Sequence, residues 1–551
     1  MYRKMMTLLL ACTFVFVTAC GSGGDKEEAV ETAAPIELKD GKYDPPVQMS
    51  YLRSWNDDTR FRNGETPQDN VHTKWAKERL GIELTTPWTA AHTNDAFYTK
   101  LRLSLSANEE LPDVVVIRGD YNLVRELIES GKFADAGALF DQYASKTWKE
   151  AADSAPTEWY PYMFEGKRMG IPVYDYAYNS DPVLFIREDW LKKLNLKEPT
   201  NIDELEKVMD AFTNQDPDGN GKKDTYGMTA GWKNNFNTWM SETGWVFGMF
   251  DTMPGQWNKA ADNTLEYGSI QPGIKEGLGT LKDWLDKGYL PKEAGVYDET
   301  KAAELFTAGK AGMIVGPHWM PNWPIDDVKK NVKGASYKAI ALPKGPTGES
   351  HHHGSGASNG VILINKDMKN PEIFFTYQNY LFDNFANPAV GSEFENGFAK
   401  GYDYDIVDGK VLGEAEVKDG VAPVKYTLTY DGARIPDLLM ETLSKLASGQ
   451  EPKTPFEKNI KISNKPEVFP AAQVVVDHKG DAIKNEFTGA PTDTMKMKKD
   501  ALDKMEKDTF SKIVYGQLPL DEFDKFVEKW TSMGGEQITT EVNEWYKSVQ
   551  N

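Results

Sequence analysis

The first twenty residues constrain the chain most, because they determine the compartment in which everything after them folds. Basic Arg3 and Lys4 precede a thirteen-residue apolar run, residues 5–17, and small residues lead into Cys20. A membrane-spanning helix needs roughly 20 apolar residues, so this run is too short to remain as an anchor. The pattern predicts a lipoprotein signal peptide at 1–19, removed before Cys20, whose thiol then carries a diacylglycerol. The alternatives are an ordinary secretory signal with a chance cysteine and a buried N-terminal helix.

Lipidation predicts that the mature protein is held at the extracellular face of the cell membrane, because two or more acyl chains anchor a protein stably. Residues 20–45 then form a polar segment without apolar periodicity, which predicts a flexible tether. Some 25 flexible residues have a root-mean-square span of roughly 25 to 30 Å. We therefore expect a folded body held just off the membrane, with the lipid as its only contact to the bilayer.

Cysteine content and charge exclude several classes of partner. The only cysteines are Cys12 and Cys20, and the predicted signal uses both, so no disulfide is expected in the mature chain. With 551 residues in the precursor, the chain can bury a sufficient core without one. The formal charge of −21 disfavours nucleic acid and anionic lipid surfaces. We expect no nucleic-acid partner and interpret the acidity as a source of solubility.

A strand, helix and strand pattern opens the folded part of the chain and predicts an open α/β sheet. Residues 47–52 alternate as a first strand, a helix follows at about 70–80, and 111–117 is an apolar run of the kind buried in parallel sheets. Ligands of such sheets bind beyond the carboxyl ends of the strands. The loops after two strands therefore supply the first candidate ligand-binding residues: Trp55, Asn56, Arg118 and Tyr121.

Several motifs farther along the chain are similar to those of one known family. Residues 166–172 match a G-K-x-x-G-I-P crossing strand, 186–191 match I-R-x-D-W-L, and 306–313 match F-x-x-G-K-A-G-M. Together with the C-terminal pattern at 520–546, they resemble the large lipoprotein members of the family 1 extracellular solute-binding proteins. The resemblance implies an α/β, two-lobed periplasmic-binding-protein-like fold with crossing hinge strands and a helical C-terminal part.

The same resemblance implies a division of the chain. The expected segments are a first lobe at 46–175, a second lobe at 176–355, a return to the first lobe at 356–400 and a C-terminal part at 401–551. The motifs leave open which lobe the C-terminal part joins. Hinge bending is expected where the chain crosses between lobes, at 173–178 and 356–364.

An acidic loop in the predicted second lobe carries the clearest metal motif. The expected ligands follow the alternating positions of an EF-hand-like loop: Asp216, Asp218, Asn220, the carbonyl of Lys222, and Asp224. Gly227 stands where an EF-hand has a bidentate glutamate, so water or another part of the fold must complete the shell. We expect a structural calcium ion here. The alternative is a metal-free turn, because Asp, Asn and Gly also dominate ordinary turns.

Aromatic and amide side chains supply the remaining candidate ligand-binding residues, because aromatic faces suit the C–H faces of sugar rings. The candidates are Tyr174 and Tyr176 on the predicted crossing, Trp232 and Asn237 in an aromatic-rich stretch, and Trp319 after a predicted strand. In the resembled family the aromatic residue at this last position commonly faces the cleft. Many other tryptophans lie in helical patterns and are expected in the core.

Two local patterns are interpreted as structural segments without a functional role. Residues 351–353 are three histidines, but adjacent side chains on one loop cannot all face one ion, and no acidic or cysteine partner lies at a metal spacing. We expect a mobile surface loop there. The apolar run at 471–477 is expected as a short strand.

The resemblance implies a function as well as a fold. Such a protein binds an oligosaccharide between its lobes, closes on it by hinge bending, and delivers it to the permease subunits of an ABC importer. We expect a monomer. Among the basic residues, Arg53, Arg60 and Arg118 are placed to pair with uronate carboxylates, and Arg434 is a weaker candidate.

Two other classes of function remain open at this point. The first is a secreted, calcium-stabilised enzyme that degrades polysaccharides, which would need two carboxylates about 5 to 10 Å apart in the cleft. No spacing singles out such a pair among the 84 acidic residues, so no catalytic residue is predicted. The second is a peptide or nutrient-sensing receptor on the same fold, because fold does not determine ligand.

Overall fold

The computed structural model describes residues 37–56, 59–91 and 95–550. The predicted signal peptide, the lipidated Cys20 and the tether up to residue 36 lie outside the described residues. None of the helices in the described part of the chain combines the length and the apolar character needed to cross a membrane.

Short strands and helices alternate up to about residue 384, and the remainder of the chain is mostly helical. The strands are β1 Leu38–Lys39, β2 Lys42–Tyr43, β3 Val47–Arg53, β4 Ile82–Thr85, β5 Val114–Ile117, β6 Met163–Phe164, β7 Lys167–Arg168, β8 Ile171–Tyr174, β9 Pro182–Arg187, β10 Trp257–Lys259, β11 Leu265–Tyr267, β12 Met313–Pro317, β13 Tyr337–Ile340, β14 His352–His353, β15 Ser358–Ile364, β16 Tyr404–Val407, β17 Lys410–Gly413 and β18 Ala482–Ile483. The helices are α1 Val71–Trp75, α2 Ala96–Ser106, α3 Tyr121–Glu129, α4 Ala136–Tyr143, α5 Lys146–Asp153, α6 Glu188–Lys193, α7 Ile202–Asn214, α8 Gly244–Gly248, α9 Pro272–Asp286, α10 Glu299–Thr307, α11 Asp327–Asn331, α12 Glu372–Asn384, α13 Leu438–Ala447, α14 Pro455–Ser463, α15 Val468–His478, α16 Asp493–Val514, α17 Glu522–Trp530 and α18 Glu536–Val549.

Five strands form the sheet of the first lobe, in the order β4-β3-β5-β15-β8. Strand β3 is parallel to β4 and β5, whereas β15 is antiparallel to β5 and β8. All residues of β5 are buried, as expected of a strand covered on both faces. Along β5 and β15, alternate residues belong to two different hydrophobic clusters, because successive side chains point to opposite faces. Helices therefore cover both faces of this sheet.

Three strands form the sheet of the second lobe, in the order β12-β9-β13, and both pairings are antiparallel. The central strand β9 is buried throughout. Its residues Leu184 and Ile186 join one hydrophobic cluster, and Val183 and Phe185 join another. This sheet, like the first, is therefore covered on both faces.

Within the described residues, the chain passes between the two sheets three times. Residues 175–181 lead from β8 to β9, and residues 341–357 lead from β13 back to β15. A third passage at 434–437 lies between Ala433, in a core cluster of the first lobe, and Met440, in a cluster of the second. These observations confirm the predicted α/β, two-lobed architecture with crossing strands.

The C-terminal part of the chain packs on both lobes. Leu428 and Tyr430 belong to a first-lobe cluster. Helices α13 and α15 pack on one face of the second sheet, and α16, α17 and α18 contribute to the large cluster on its other face. The exact segment boundaries expected from the sequence stay a prediction.

Two local predictions are wrong. Residues 471–477 lie in helix α15, whose buried positions recur every third or fourth residue from Val468 to Val475. A short apolar run does not by itself distinguish a buried helix from a strand. Residues 352–353 form β14, which pairs in parallel with β18, and His352 is buried. They are therefore part of the packed structure and not a surface loop.

Candidate functional site

A cavity of about 1000 Å³ lies between the lobes. All three passages of the chain contribute to its wall, through Tyr178, Gly356 and Pro436 among others. The volume lies at the upper end of the roughly 300 to 1000 Å³ that is usual for small-molecule sites. Because both lobes and the passages line it, the cavity must change shape whenever the lobes rotate about those passages.

Aromatic rings line this interlobe cavity from both lobes. Tyr121 comes from the first lobe, Tyr178 from a passage, and Trp257 and Phe487 from the second lobe. Tyr121 begins helix α3, and 60% of its surface is exposed. Charged groups on the same wall are Asp120, Glu158, Asp437, Lys484, Lys499, Asp500 and Asp503, and the neutral polar groups include Asn122, Asn485 and Thr488. Flat apolar walls with a few polar groups are the combination that holds a sugar ring.

A second cavity, of about 380 Å³, lies at the same edge of the first sheet. Its lining includes Arg53, Asn56, Arg60, Lys425, Tyr426 and Tyr430. Arg53 ends β3, and residues 120–122 of the interlobe cavity follow β5, the parallel neighbour of β3. Neighbouring strands lie only about 4.8 Å apart. Both cavities therefore meet the carboxyl edge of the sheet, where the sequence predicted the ligand.

Tyr430 holds two arginines beside the smaller cavity. Its ring centroid lies 4.0 Å from the guanidinium carbon of Arg53 and 3.9 Å from that of Arg118. Arg53 also lies over the ring of Trp55, at 4.2 Å. The backbone of Tyr430 has φ 70°, a left-handed conformation that is unusual for a large side chain. Such strained residues cluster at functional sites, where the surrounding structure holds them in place.

Asp431 links three basic side chains, and Arg118 is one of them. Its carboxylate lies 2.7 Å from Arg118 Nη2, 2.5 Å from Lys425 Nζ and 3.1 Å from Arg434 Nη2. Burial by itself would raise the pKa of Asp431, but Arg434 and the two other cations outweigh burial and hold the pKa well below its usual range. Asp431 is therefore an anion at every physiological pH and keeps the cations together.

The basic side chains at this edge outnumber the acidic ones. Arg53 and Arg60 donate hydrogen bonds to backbone carbonyls, those of Lys425 and Gly420, at 3.0 Å each. Among the described residues, the cations are Arg53, Arg60, Arg118, Lys425 and Arg434, and the anions beside them are Asp175, Glu414 and Asp431. A local excess of positive charge on a chain of formal charge −21 is therefore a specific feature of this edge.

The candidate residues of the first lobe lie at this edge. Trp55, Asn56 and Arg118 lie at the cationic group around the smaller cavity, and Tyr121 lines the larger one. The two candidate tyrosines near the first passage, Tyr174 at the end of β8 and Tyr176 in the passage, have different surroundings. Tyr174 is buried, whereas the ring of Tyr176 lies 4.8 Å from the guanidinium carbon of Arg434.

The structure places Trp232 and Asn237 outside the linings of both cavities. Trp232 is buried in the second-lobe core, where its ring stacks on Phe236 at 5.8 Å. The Asn237 amide donates a hydrogen bond of 2.6 Å to the carbonyl of Pro254, and its own oxygen is buried. Composition alone does not separate core tryptophans from exposed ones in an aromatic-rich stretch.

Trp319 belongs to a stack of three tryptophans on the second lobe. The ring of Trp239 lies 5.9 Å from that of Trp319 and 6.2 Å from that of Trp323, and both pairs are nearly parallel. Trp319 Nε1 donates to the carbonyl of Asn179 on the first passage, at 2.8 Å. Trp239 and Trp323 are 39% and 49% exposed. The stack joins the second lobe to a hinge and leaves aromatic surface in solvent.

Sequence reasoning missed several residues of the site. Tyr430, Asp431 and Lys425 lie in a part of the chain that the motifs did not assign to a lobe. The signal that was available is local, since residues 425–434 contain two tyrosines and three charged side chains. Their proximity to Arg53 and Arg118 is a property of the fold.

The loop at 216–224 brings the predicted calcium ligands together around a lysine. The Asp216 carboxylate accepts a backbone hydrogen bond of 3.0 Å from Asn220. Lys310 Nζ lies 2.7 Å from Asp224 Oδ2 and 3.4 Å from Asp218 Oδ2. Within residues 37–56, 59–91 and 95–550, no three acidic, histidine or cysteine side chains are arranged to hold a metal ion as they stand. The donor atoms are of the kind that calcium prefers, but a lysine ammonium lies against two of them.

The chain is similar in sequence to a known family of proteins. The sequence model described as "Bacterial extracellular solute-binding protein" matches residues 59–384. The chain belongs to this family. It is 26% identical over 563 aligned residues to the polygalacturonan/rhamnogalacturonan-binding protein YtcQ of Bacillus subtilis (strain 168), covering 99% of each chain. The resemblance inferred from the crossing motifs is therefore confirmed.

Solved structures agree with the family in fold. The alginate-binding protein AlgQ2 without calcium ion has a TM-score of 0.62 and 21% identity, covering 92% of this solute-binding protein and 98% of that chain. An EF-hand mutant of the S. pneumoniae ABC-transporter substrate-binding protein FusA, in complex with fructo-nystose, has a TM-score of 0.60 and 17% identity, covering 92% and 99%. At these identities the comparison concerns the fold alone.

Proposed function

We propose that this solute-binding protein captures an oligosaccharide that carries uronate carboxylates and delivers it intact to an ABC importer. The observation that carries the proposal is the excess of positive charge around the smaller cavity, on an otherwise acidic chain. Guanidinium and ammonium groups form strong, charge-assisted hydrogen bonds with carboxylates. The similarity to YtcQ, named for binding polygalacturonan and rhamnogalacturonan, supports the same class of ligand.

The two cavities divide the recognition of such a ligand. Aromatic walls of the interlobe cavity, with Tyr121 and Trp257, pack on sugar rings. Arg60 and Lys425 of the smaller cavity hold carboxylates. A ligand bound between the lobes stabilises the closed arrangement because it contacts both lobes only there. The permease subunits of the importer then distinguish loaded from empty protein by this closure.

The N-terminal sequence and the family support a proposal for where the protein is located. We propose that Cys20 is lipidated and holds a monomeric protein at the extracellular face of the cell membrane. The tether then leaves the two lobes free to rotate toward the importer. Binding proceeds without turnover, so the ligand leaves the protein chemically unchanged.

We also propose that the loop at 216–224 binds a structural calcium ion. Asp216, Asp218, Asn220 and Asp224 would supply side-chain oxygens and Lys222 a carbonyl. The ion would stabilise the loop and take no part in binding sugar. The chemistry of these oxygens supports the proposal, as does the EF-hand of the FusA structure with the same fold.

The test of the ligand class compares trigalacturonate with its methyl ester, because esterification removes the charge and keeps the sugar rings. We expect the acid to stabilise the purified protein by about 2.7 kcal/mol at 100 times its dissociation constant. The ester should bind at least about tenfold more weakly, since one charge-assisted hydrogen bond contributes about 1.5 to 3 kcal/mol. Denaturant unfolding with and without the acid measures the stabilisation, and isothermal titration calorimetry measures the two affinities. Chromatography of the recovered sugar checks that it is intact.

A variant of Arg60 tests whether the smaller cavity binds the carboxylates of the ligand. Arg60→Gln should weaken binding of the acid about tenfold and leave binding of the ester unchanged. Arg79→Gln is the matched control, because Arg79 pairs with Glu393 on the surface and lines neither cavity. Equal affinity for acid and ester would contradict the uronate proposal, and recovery of cleaved sugar would contradict binding without turnover.

A further inference from the structure

We infer that Lys310 acts as a built-in cation for the loop at 216–224, closing it without metal and competing with calcium for the same carboxylates. The inference rests on the calcium site proposed above. It goes beyond that site because it concerns a lysine that is distant in sequence and is not a ligand. Lys310 also lies in the F-x-x-G-K-A-G-M motif, to which the ligand site assigns no role.

The Lys310 ammonium group lies against two of the carboxylates that would bind a calcium ion. Lys310 Nζ is 2.7 Å from Asp224 Oδ2 and 3.4 Å from Asp218 Oδ2. The Asn220 amide bridges the same two carboxylates, at 2.7 Å from Asp218 Oδ2 and 3.0 Å from Asp224 Oδ1. The carboxylate oxygens at positions 3 and 9 of the loop are therefore already gathered about one positive charge.

The backbone conformation and two backbone hydrogen bonds place Lys310 at this position. Helix α10 ends at Thr307, and Gly309 turns the chain with φ 72°, a conformation that favours glycine. The amide of Tyr226, at the exit of the loop, donates to the carbonyl of Lys310 at 2.8 Å, and the amide of Gly312 donates to the carbonyl of Tyr226 at 3.0 Å. The start of β12 is thus tied to the end of the loop, and the lysine side chain reaches back over the carboxylates.

A second lysine holds the opposite side of the loop. Lys193 Nζ donates to the carbonyls of Asp216 and Pro217, at 3.2 and 2.8 Å. Three carboxylates within one turn repel one another unless a cation lies among them. With Lys310 at the side chains and Lys193 at the carbonyls, the metal-free loop has an internal counter-charge on both sides.

Calcium and Lys310 cannot use the same oxygens together. Calcium requires six to eight oxygen ligands at 2.3 to 2.6 Å, and this loop already lacks the bidentate glutamate at position 12. Binding therefore needs the oxygens of Asp218 and Asp224 that Lys310 engages. The long, flexible lysine side chain, about a third exposed, can swing into solvent when the ion enters. The protein thereby has a loop that keeps its shape when calcium is scarce.

The test is the calcium affinity of Lys310→Met, measured by isothermal titration calorimetry on the purified full chain. Methionine keeps the length of the side chain and removes the charge. We expect calcium to bind about tenfold more tightly than to the unchanged protein. Lys223→Met is the matched control, because it removes one positive charge from an exposed position of the same loop. The control should change the affinity about threefold or less, as a surface charge does in salt solution.

A second measurement separates competition from simple repulsion. In EDTA, Lys310→Met should melt several degrees below both the unchanged protein and Lys223→Met, and added calcium should restore it. Equal calcium affinities and equal melting temperatures for the two variants would overturn the inference, as would a failure of Lys310→Met to bind calcium. Absence of calcium binding to the unchanged protein and to both variants would contradict the calcium site itself, whereas equal and measurable calcium affinities would overturn only the inference about Lys310.

Discussion

His353 shows how one residue connects the hinge to the core of the second lobe. Its Nδ1 lies 3.5 Å from Glu242 Oε2, and Asp181 on the first passage also acts on its charge. Two residues later, Ser355 donates hydrogen bonds of 2.9 and 2.7 Å to Asp181 Oδ1. Lys484 packs beside the intervening Gly354. An imidazolium ion here lies between two carboxylates at the point where two passages touch.

The charge of His353 predicts a pH-dependent stability. Burial alone would lower the pKa of the imidazole, but the Glu242 carboxylate and Asp181 outweigh burial, and the pKa is raised above its ordinary value. The stabilisation is therefore complete below about pH 6.5, the unfolded value, and is lost as pH rises through the folded pKa. We expect His353→Gln to be about 3 kcal/mol less stable at pH 5.5, as in other broken buried ion pairs, with a smaller difference at pH 8.5.

Urea unfolding at a series of pH values measures this effect. His478→Gln is the control, because His478 is partly exposed and pairs with Asp481 outside this group. That variant should keep the pH profile of the unchanged protein. A constant difference between His353→Gln and the unchanged protein from pH 5.5 to 8.5 would show that folding does not shift the pKa of the imidazole, which would contradict this prediction.

Helix α16 shows how an element from the end of the chain completes a lobe. Phe510 is fully buried, and its ring lies 5.2 Å from that of Phe526 and 6.2 Å from that of Phe236. Phe236 belongs to the middle of the chain and Phe526 to α17. The C-terminal helices are therefore part of the same continuous core as the middle of the chain in the second lobe.

Truncation of Phe510 tests this packing. We expect Phe510→Ala to lower the free energy of unfolding by about 3 to 5 kcal/mol, through lost burial and the cavity that remains. Met497→Ala is the control in the same helix, because Met497 is 72% exposed, and it should change stability by about 0.5 kcal/mol or less. Denaturant titration gives both values. A loss below about 1 kcal/mol for Phe510→Ala would mean that α16 contributes little to the lobe.

At the scale of the whole molecule, three narrow passages join two lobes, each with its own sheet and cores. Such passages absorb a rotation while the packed lobes move as bodies. The interlobe cavity lies directly against them, so a ligand that contacts both walls shifts the balance toward closure.

Closure predicts a measurable change in size. We expect small-angle X-ray scattering to show a smaller radius of gyration when a bound oligosaccharide saturates the protein. Tyr121→Ala should need about tenfold more ligand for the same change, because it removes one aromatic wall of the cavity. Leu103→Ala, at a residue that is 64% exposed and lines neither cavity, should behave like the unchanged protein. An unchanged radius at saturation would contradict hinge closure.

The sequence by itself determined what depends on neighbours along the chain. The buried run of β5 and the turn chemistry of 216–224 are local patterns, and they predicted the sheet and the loop. The crossing motifs are local too, and their resemblance to a known family implied the two-lobed fold. The edge at which Arg118 and Tyr121 lie follows from strand direction alone.

Only the tertiary structure decided which distant residues share a site. Tyr430 and Asp431 lie more than 300 residues from Arg118 and Arg53 in sequence, yet they hold both arginines in the first lobe. Trp232 is in the core and Trp239 is exposed, although both come from one aromatic stretch. Lys310 lies against carboxylates that are 86 and 92 positions away. These outcomes depend on packing between elements, because burial and charge partners are set by what the fold brings into contact and not by spacing along the chain.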